Sequence, residues 1–497
     1  MPSDAQPALR VRALDKYLST AIYFFFGLFV ILLAWSMKGA RYAWIAAFYI
    51  WLASLFVERK RPFPQPLTLP LLAFVMLSGL SCALSYDPYL SWPHMKLVCW
   101  MILVGILFAQ NLQRLSQVRT LLVLLLLSAA TVAGFTAWQY IRGTGMKVQS
   151  IPTDSALYRA GIRGEDVLTS INGQSLHSRE DLSKAAATVS SDGIVPLRYL
   201  RGQPIMHEQT FIRAGAILPE LRNPQLVLVL AKPPRAQGTF RNWGILAEVL
   251  MPIACLAWAL MLGTPSRNRL GQIFYAVMFL AILATIFATQ TRAALSGALA
   301  GCMVVLFFMS PKRARIWLVS ALLILAIGAA AWIQHKRGLR WIDTRDPGTQ
   351  YRLLMWQDGT RLALQHPFFG VGMETIQNHW EEWNIRGFAI YKRFWNFHSD
   401  YVQLAAERGL LTLAAWLWFV VAYLIYLQRL LPRLRQRTHF GWAVAAGILG
   451  GFIAFLFNSL VESSLGDDSL VMLLFFSFGV AVAMERMQDH PGSLDVA

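Results

Sequence analysis

Twelve stretches of about 20 apolar residues recur along the chain, each long enough to cross the hydrocarbon core of a bilayer as a helix. They lie near 17–37, 40–58, 67–86, 93–110, 120–141, 242–262, 271–289, 293–310, 316–334, 409–428, 440–460 and 468–485. Inside lipid a backbone satisfies its polar groups as a helix or a closed barrel, and apolar runs of this length select the helix. The expected fold class is an all-α polytopic membrane protein of about 12 transmembrane helices, interrupted by a small inserted α+β domain. Composition agrees: 56% of residues are apolar, 14% are charged and the mean hydropathy is +0.46. The first stretch has the length of a span and no small-residue cleavage pattern behind it, so no cleavable signal peptide is read there.

Lysine and arginine set the expected orientation. One set of alternate connections holds Arg10, Arg12, Lys16, Arg59, Lys60, Arg61, Arg114, Arg119, Arg267, Arg269, Lys312, Arg313, Arg315, Arg429, Arg433, Arg435, Arg437 and Arg486. Short connections on the other side hold only Lys38, Arg41, Lys96 and Arg292. Both termini are therefore expected in the cytoplasm, and the bilayer is the first expected partner. Much of the net charge of +18 becomes a topology signal instead of a nucleic-acid footprint. Cys82, Cys99, Cys255 and Cys302 all lie in apolar segments without CxxC spacing, which argues against a disulfide framework or a zinc site.

The expected division is 1–141 for the first five membrane helices, 142–241 for the insertion, 242–334 for four more helices, 335–408 for a long outer loop, and 409–497 for the last three helices and the tail. Within the insertion stand Ser155–Gly161, Gly164-Glu165-Asp166-Val167-Leu168 and the turn signal Asn172-Gly173, then alternating runs at 194–200 and 205–213. This pattern over about 70 residues resembles a bacterial PDZ domain, which implies binding of an extended peptide by strand addition. No first strand or carboxylate-binding loop is legible before Met146. A protein partner held by the insertion and a purely structural spacer both stay open.

The 335–408 segment is too long for a plain connector, and loops of that length usually carry function. Around it, four groups of residues stand out. Thr291-Arg292 heads the eighth span, on the side otherwise poor in arginine, so Arg292 either snorkels or ligates an anion. Arg352 and Trp356 share a helix face at i, i+4, on a helix expected to end at His366-Pro367. Gly370 and Gly372 mark a turn where backbone can approach a ligand closely, and Arg345 adds charge nearby. Last, His398 precedes the tenth span, with Tyr401 and Glu407 beyond it. An imidazole there is either a packed structural group or a proton carrier near neutral pH. Asp467-Asp468 reads as a solvated turn, and no carboxylate cluster with metal-ligand spacing is evident in the outer loops.

Taken in order, Thr-x-Arg, Arg-x-x-x-Trp, His-Pro-x-x-Gly-x-Gly and His-x-x-Tyr-x-x-x-x-x-Glu-x-Gly resemble the O-antigen ligase and polymerase superfamily, most closely over residues 240–485. Ser399 stands where many relatives carry Asn. The resemblance implies an inverting, metal-independent transfer of polysaccharide from undecaprenyl diphosphate to lipid A–core on the periplasmic face of the bacterial inner membrane, without a cofactor. It implies His398, Arg292 and Arg352 as catalytic, and Arg345, Trp356, Gly370, Gly372, Tyr401 and Glu407 as substrate-binding. A polymerase or a protein O-glycosyltransferase of the same superfamily is the alternative. A membrane metalloprotease needs HExxH, and the one His-Glu pair, His207-Glu208, lacks the second histidine. A transporter of twelve spans usually shows internal repeats, and none is legible.

Overall fold

The computed structural model describes residues 5–58, 66–188, 190, 192–201, 206–233, 235–240, 242–337, 347–387 and 396–488. Arg345 lies outside the described residues. The chain divides into two compact units, one of residues 1–133 and 239–497 and one of residues 134–238.

The first unit is helical. Its elements are α1 (Ala5–Leu33), α2 (Met37–Glu58), α3 (Thr68–Ala83), α4 (Pro88–Asn111) and α5 (Leu115–Arg142), which runs on into the second unit. After the insertion, which holds α6 to α8, come α9 (Trp243–Gly263), α10 (Arg269–Thr289), α11 (Arg292–Met309), α12 (Lys312–Arg337), α13 (Pro347–Gln365) and α14 (Ile376–His379). The last three are α15 (Asp400–Arg437), α16 (His439–Asn458) and α17 (Asp468–Gln488). A helix stands at each of the twelve expected places. Among the described residues nine are long and apolar enough to cross a membrane, and α3 is shorter at 16 residues. The protein is therefore a multi-pass membrane protein, with nine spans by this measure where twelve were expected.

Local chemistry sets several ends. Asp87 accepts from Leu90 N and Pro88 opens α4, a placement that uses proline where no helical N–H is needed. Thr438 caps α16 by accepting from Gly441 N. Lipid offers helices no hydrophobic drive to associate, so close van der Waals packing does the work. The α11–α16 crossing shows it: a Cβ on Gly301 would stand 2.3 Å from Gly450 O, and one on Gly297 would stand 2.7 Å from Ala454 O. These two antiparallel pairings fix the register of α11 against α16.

The second unit holds a six-stranded antiparallel sheet in the order β5-β4-β2-β1-β6, with β3 paired to β2. Its strands are β1 (Gly145–Ser150), β2 (Val167–Ile171), β3 (Gln174–Ser175), β4 (Ile194–Arg201), β5 (Met206–Arg213) and β6 (Val227–Ala231). The short helices α6 (Ala156–Arg159), α7 (Arg179–Ala187) and α8 (Ala214–Arg222) complete it. Asn172 and Gly173 take φ of 47° and 79°, the left-handed turn that joins β2 to β3. Asp166, 2% exposed, is held by Arg201 through Nε at 2.8 Å and Nη2 at 2.5 Å. Val148, Leu157, Leu168, Leu182 and Leu197 form a closed core of its own. β1 follows directly on α5, and the strand beside it, β6, comes from the far end of the insertion.

Candidate functional site

Helix α13 organises the site. It ends at Gln365, one residue before His366-Pro367, where proline excludes further helical backbone. Trp356 reaches the segment that leads into α15, and Arg352, one turn earlier, reaches the connection between α16 and α17. Trp356 Nε1 donates to His398 O at 3.0 Å. Arg352 Nη2 pairs with Glu462 Oε1, and Glu462 Oε2 lies 3.2 Å from His398 Nδ1. One carboxylate thus spans the guanidinium and the imidazole.

His398 sits at φ 52°, the left-handed region that a non-glycine residue enters at a cost. The surroundings hold it there. Its N–H donates to Asn396 Oδ1 at 2.9 Å, its carbonyl takes the Trp356 bond, and the Tyr351 ring stands edge-on at 5.6 Å. The next residues lock onto the 459–467 connection. Ser399 N donates to Ser463 Oγ at 3.2 Å, Asp400 N to Ser459 O at 3.0 Å, and Leu465 N to Asp400 Oδ1 at 2.9 Å. The connection that carries Glu462 is therefore fixed against the segment that carries His398.

The trio stays reachable: the side chains of Arg352, His398 and Glu462 are 30%, 22% and 18% exposed. Burial pushes the Glu462 carboxyl up, but the His398 hydrogen bond and the Arg352 charge outweigh it and hold Glu462 below the ordinary carboxylate range. Arg352 Nε is buried and has no hydrogen-bond partner among the described residues.

Arg292 opens α11 behind Gln290, whose φ of 55° turns the chain between α10 and α11. Carried five residues further along α11, the antiparallel register of Gly301–Gly450 and Gly297–Ala454 brings Arg292 to the level of residue 459. That is the start of the connection bearing Glu462. The Tyr401 hydroxyl donates to Leu456 O, near the C-terminal end of α16, at 3.3 Å.

Gly370, Gly372 and Glu407 form a second assembly, about 10 Å further along α15. Gly372 N donates to Glu407 O at 2.7 Å, Val371 N to Ala406 O at 3.1 Å and Leu410 N to Pro367 O at 2.7 Å. Glu407 Oε1 accepts from Glu374 N at 3.1 Å. A Cβ on Gly370, at φ 66°, would stand 2.4 Å from the Glu407 carbonyl carbon. The close backbone approach read from the glycines is thus made to helix α15 of the same chain.

Two acids escaped the sequence reading. Glu462 sits in a connection that looked like a plain turn. Glu248 is a lone carboxyl within an apolar span, a signal that was legible. It is 7% exposed and faces Asn458, whose Nδ2 donates to Ser464 Oγ at 2.7 Å. Asp467 and Asp468, expected in a solvated turn, are 9% and 7% exposed. Asp467 Oδ1 caps α17 by accepting from Ser469 N at 2.9 Å, and Asp468 pairs with Arg41. Burial pushes the Asp467 carboxyl up to about 6. Among the described residues, no group of three or more His, Cys, Asp or Glu is placed to hold a metal ion.

Comparison with known proteins identifies one stretch of the chain. Residues 276–417 match the O-antigen ligase family model, a stretch that includes Arg292, Arg352, His398 and Glu407 and stops short of Glu462. The chain is also 27% identical over 205 residues to the teichuronic acid biosynthesis protein TuaE of Bacillus subtilis (strain 168). That match covers 38% of this chain and 41% of the relative. The resemblance read from the ordered motifs therefore holds for the stretch that carries Arg292, Arg352 and His398: residues 276–417 are an O-antigen ligase family domain within a multi-pass membrane protein.

Proposed function

We propose that the protein is an inverting glycosyltransferase that moves a glycan from a polyprenyl diphosphate to a hydroxyl acceptor, with O-antigen and lipid A–core as donor glycan and acceptor. The observation that carries this reading is the single carboxylate, Glu462, bridging Arg352 and His398.

The Nδ1–Glu462 hydrogen bond assigns the imidazole proton to Nδ1 and leaves Nε2 as the acceptor. The acceptor hydroxyl gives its proton to Nε2 as its oxygen attacks the anomeric carbon from the face opposite the diphosphate. The bond from that carbon to the phosphate oxygen breaks, and its electron pair leaves with the diphosphate. Glu462 stabilises the imidazolium that forms. Arg352 and Arg292 neutralise the charge growing on the leaving group, an interaction stronger in the transition state than in the bound donor. This division of labour needs no metal ion. Activity in EDTA is therefore expected.

The alternative acceptor is a second glycan chain, which would make the protein a polymerase. The test is in vitro transfer by purified protein from polyprenyl diphosphate-linked glycan, offered lipid A–core or lengthening of the donor chain. Glycan-modified lipid A–core supports the ligase. Longer polyprenyl-linked chains replace it with the polymerase.

A further inference from the structure

Opposite the His398 trio, α13 carries a second cluster. Arg361 lies nine residues after Arg352, about two and a half helical turns, and so faces away from it. Arg361 Nη2 donates to Trp383 O and Asn384 O, both at 2.9 Å. This fixes the segment around α14 on the far side of the helix. There, Tyr86 from the α3–α4 connection meets His379, Glu382 and Trp383. Tyr86 OH donates to Glu382 Oε2 at 2.5 Å, and His379 Nδ1 lies 2.9 Å from Glu382 Oε1. His379 Nε2 lies 3.6 Å from Asp87 Oδ2. The rings of His379 and Trp383 stand edge-to-face with Tyr86 at 5.0 and 5.4 Å.

Three features mark this cluster as more than a joint. Tyr86 is pinned at both ends, by its hydroxyl on Glu382 and its N–H on Val371 O at 2.9 Å, yet it remains 59% exposed. An aromatic side chain held rigid and left open presents contact area at little entropic cost. Next, the Tyr86 hydroxyl and the His379 ring hold Glu382 below the ordinary carboxylate range, so it is an acceptor at neutral pH. Last, Asp87, Glu381 and Glu382 give the patch a negative balance that repels phosphate, and such charges have no place against lipid tails.

We propose that this aromatic and acidic shelf binds the hydroxyl-rich, unphosphorylated sugar units of the glycan. The C–H faces of the pyranose rings lie on Tyr86 and Trp383, and Glu382 and Asp87 accept hydrogen bonds from their hydroxyls. The diphosphate end then lies by Arg352, and the glycan body lies one helix width across α13 and nine residues along it, about 17 Å away. A short run of linked rings bridges that distance. The proposal rests on the glycan-transfer reading for its ligand and not for its test.

The test is direct binding to the full-length protein in detergent, by saturation-transfer NMR. The probe is glycan released by mild acid from the host's own polyprenyl diphosphate lipid, and so free of lipid and diphosphate. Wild type and His398→Ala are expected to bind equally. Tyr86→Ala and Trp383→Ala are expected to weaken binding roughly tenfold or more. Tyr86→Phe, which keeps the ring, is expected to retain most of it and guards against misfolding. In transfer assays the same alanine variants raise KM for a long-chain donor and leave KM for a one-sugar donor unchanged. Unchanged glycan binding in Tyr86→Ala overturns the shelf even where transfer is robust. Lost binding in Tyr86→Ala sustains it even where no transfer is seen.

Discussion

The two faces of α13 carry ion pairs of opposite character. On one, Asp358 is fully buried and fully used: Oδ2 accepts from Arg386 N and Oδ1 from Arg386 Nε, each at 2.8 Å, with Arg361 at 3.5 Å. On the other, Glu462 is part-exposed and is shared between two groups from distant segments, one of which keeps an N–H unpartnered among the described residues. The first arrangement leaves nothing over and reads as a fastening. The second holds charge open in a reachable place and keeps His398 in a left-handed backbone conformation, and strain of this kind gathers at working sites. Completeness of pairing, more than the presence of charge, separates a structural ion pair from a reactive one.

Substitutions on the two faces test that distinction. The largest effect is expected from His398→Ala: transfer should fall by about 10²–10⁴-fold with thermal melting unchanged, since general-base catalysis contributes on that order. Asp358→Ala is expected to do the reverse. It should destabilise the fold by about 3 kcal/mol, the value of lost hydrogen bonds to a charged group, while the surviving folded protein keeps its turnover in a detergent melting and activity comparison.

Glu462→Gln should lower kcat by about 10–100-fold with little change in KM for the donor, because the amide holds the ring without stabilising an imidazolium. It also carries a pH signature. Glu462 is held below its ordinary value, so its contribution to stability is present above the unfolded carboxylate pKa of about 4.3 and is lost as pH falls through the depressed folded value. Melting curves across that window should slope in the wild type and flatten in the glutamine variant. The smallest effect is expected at the second assembly. Gly409 sits at φ 83°, and a Cβ there would run into the Phe368 carbonyl oxygen. Gly409→Ala should therefore destabilise the fold by about 1–3 kcal/mol and spare turnover per folded molecule.

The parts of this arrangement that local spacing determines were legible in the sequence. Arg352 and Trp356 share a helix face by periodicity alone, His366-Pro367 ends that helix, and His398 precedes α15 as its motif implied. The glycines announced a close backbone approach, but sequence names no partner for such an approach, and the partner proved to be Glu407 and its neighbours. Glu462 was invisible for a different reason. It is 64 residues from His398 and reaches it only because Asp400, Ser459, Ser463 and Leu465 tie two connections together. Asp467 and Asp468 misled because adjacent acids suggest water until a helix N-terminus and Arg41 are seen to take them in. Among the described residues nine helices are long and apolar enough to span, and the other three of the expected twelve form as helices, α3 at 16 residues, α2 at 22 and α12 at 26.

The most direct measurement is transfer from polyprenyl diphosphate-linked glycan, in EDTA, by wild type, His398→Ala, Glu462→Gln and Asp358→Ala purified side by side and normalised to folded protein. The account predicts product from wild type and from folded Asp358→Ala, a strongly reduced rate from Glu462→Gln and none above background from His398→Ala. Wild-type rates from folded His398→Ala and Glu462→Gln would contradict it, and would return the bridged carboxylate to the same standing as the fastening on the other face of α13.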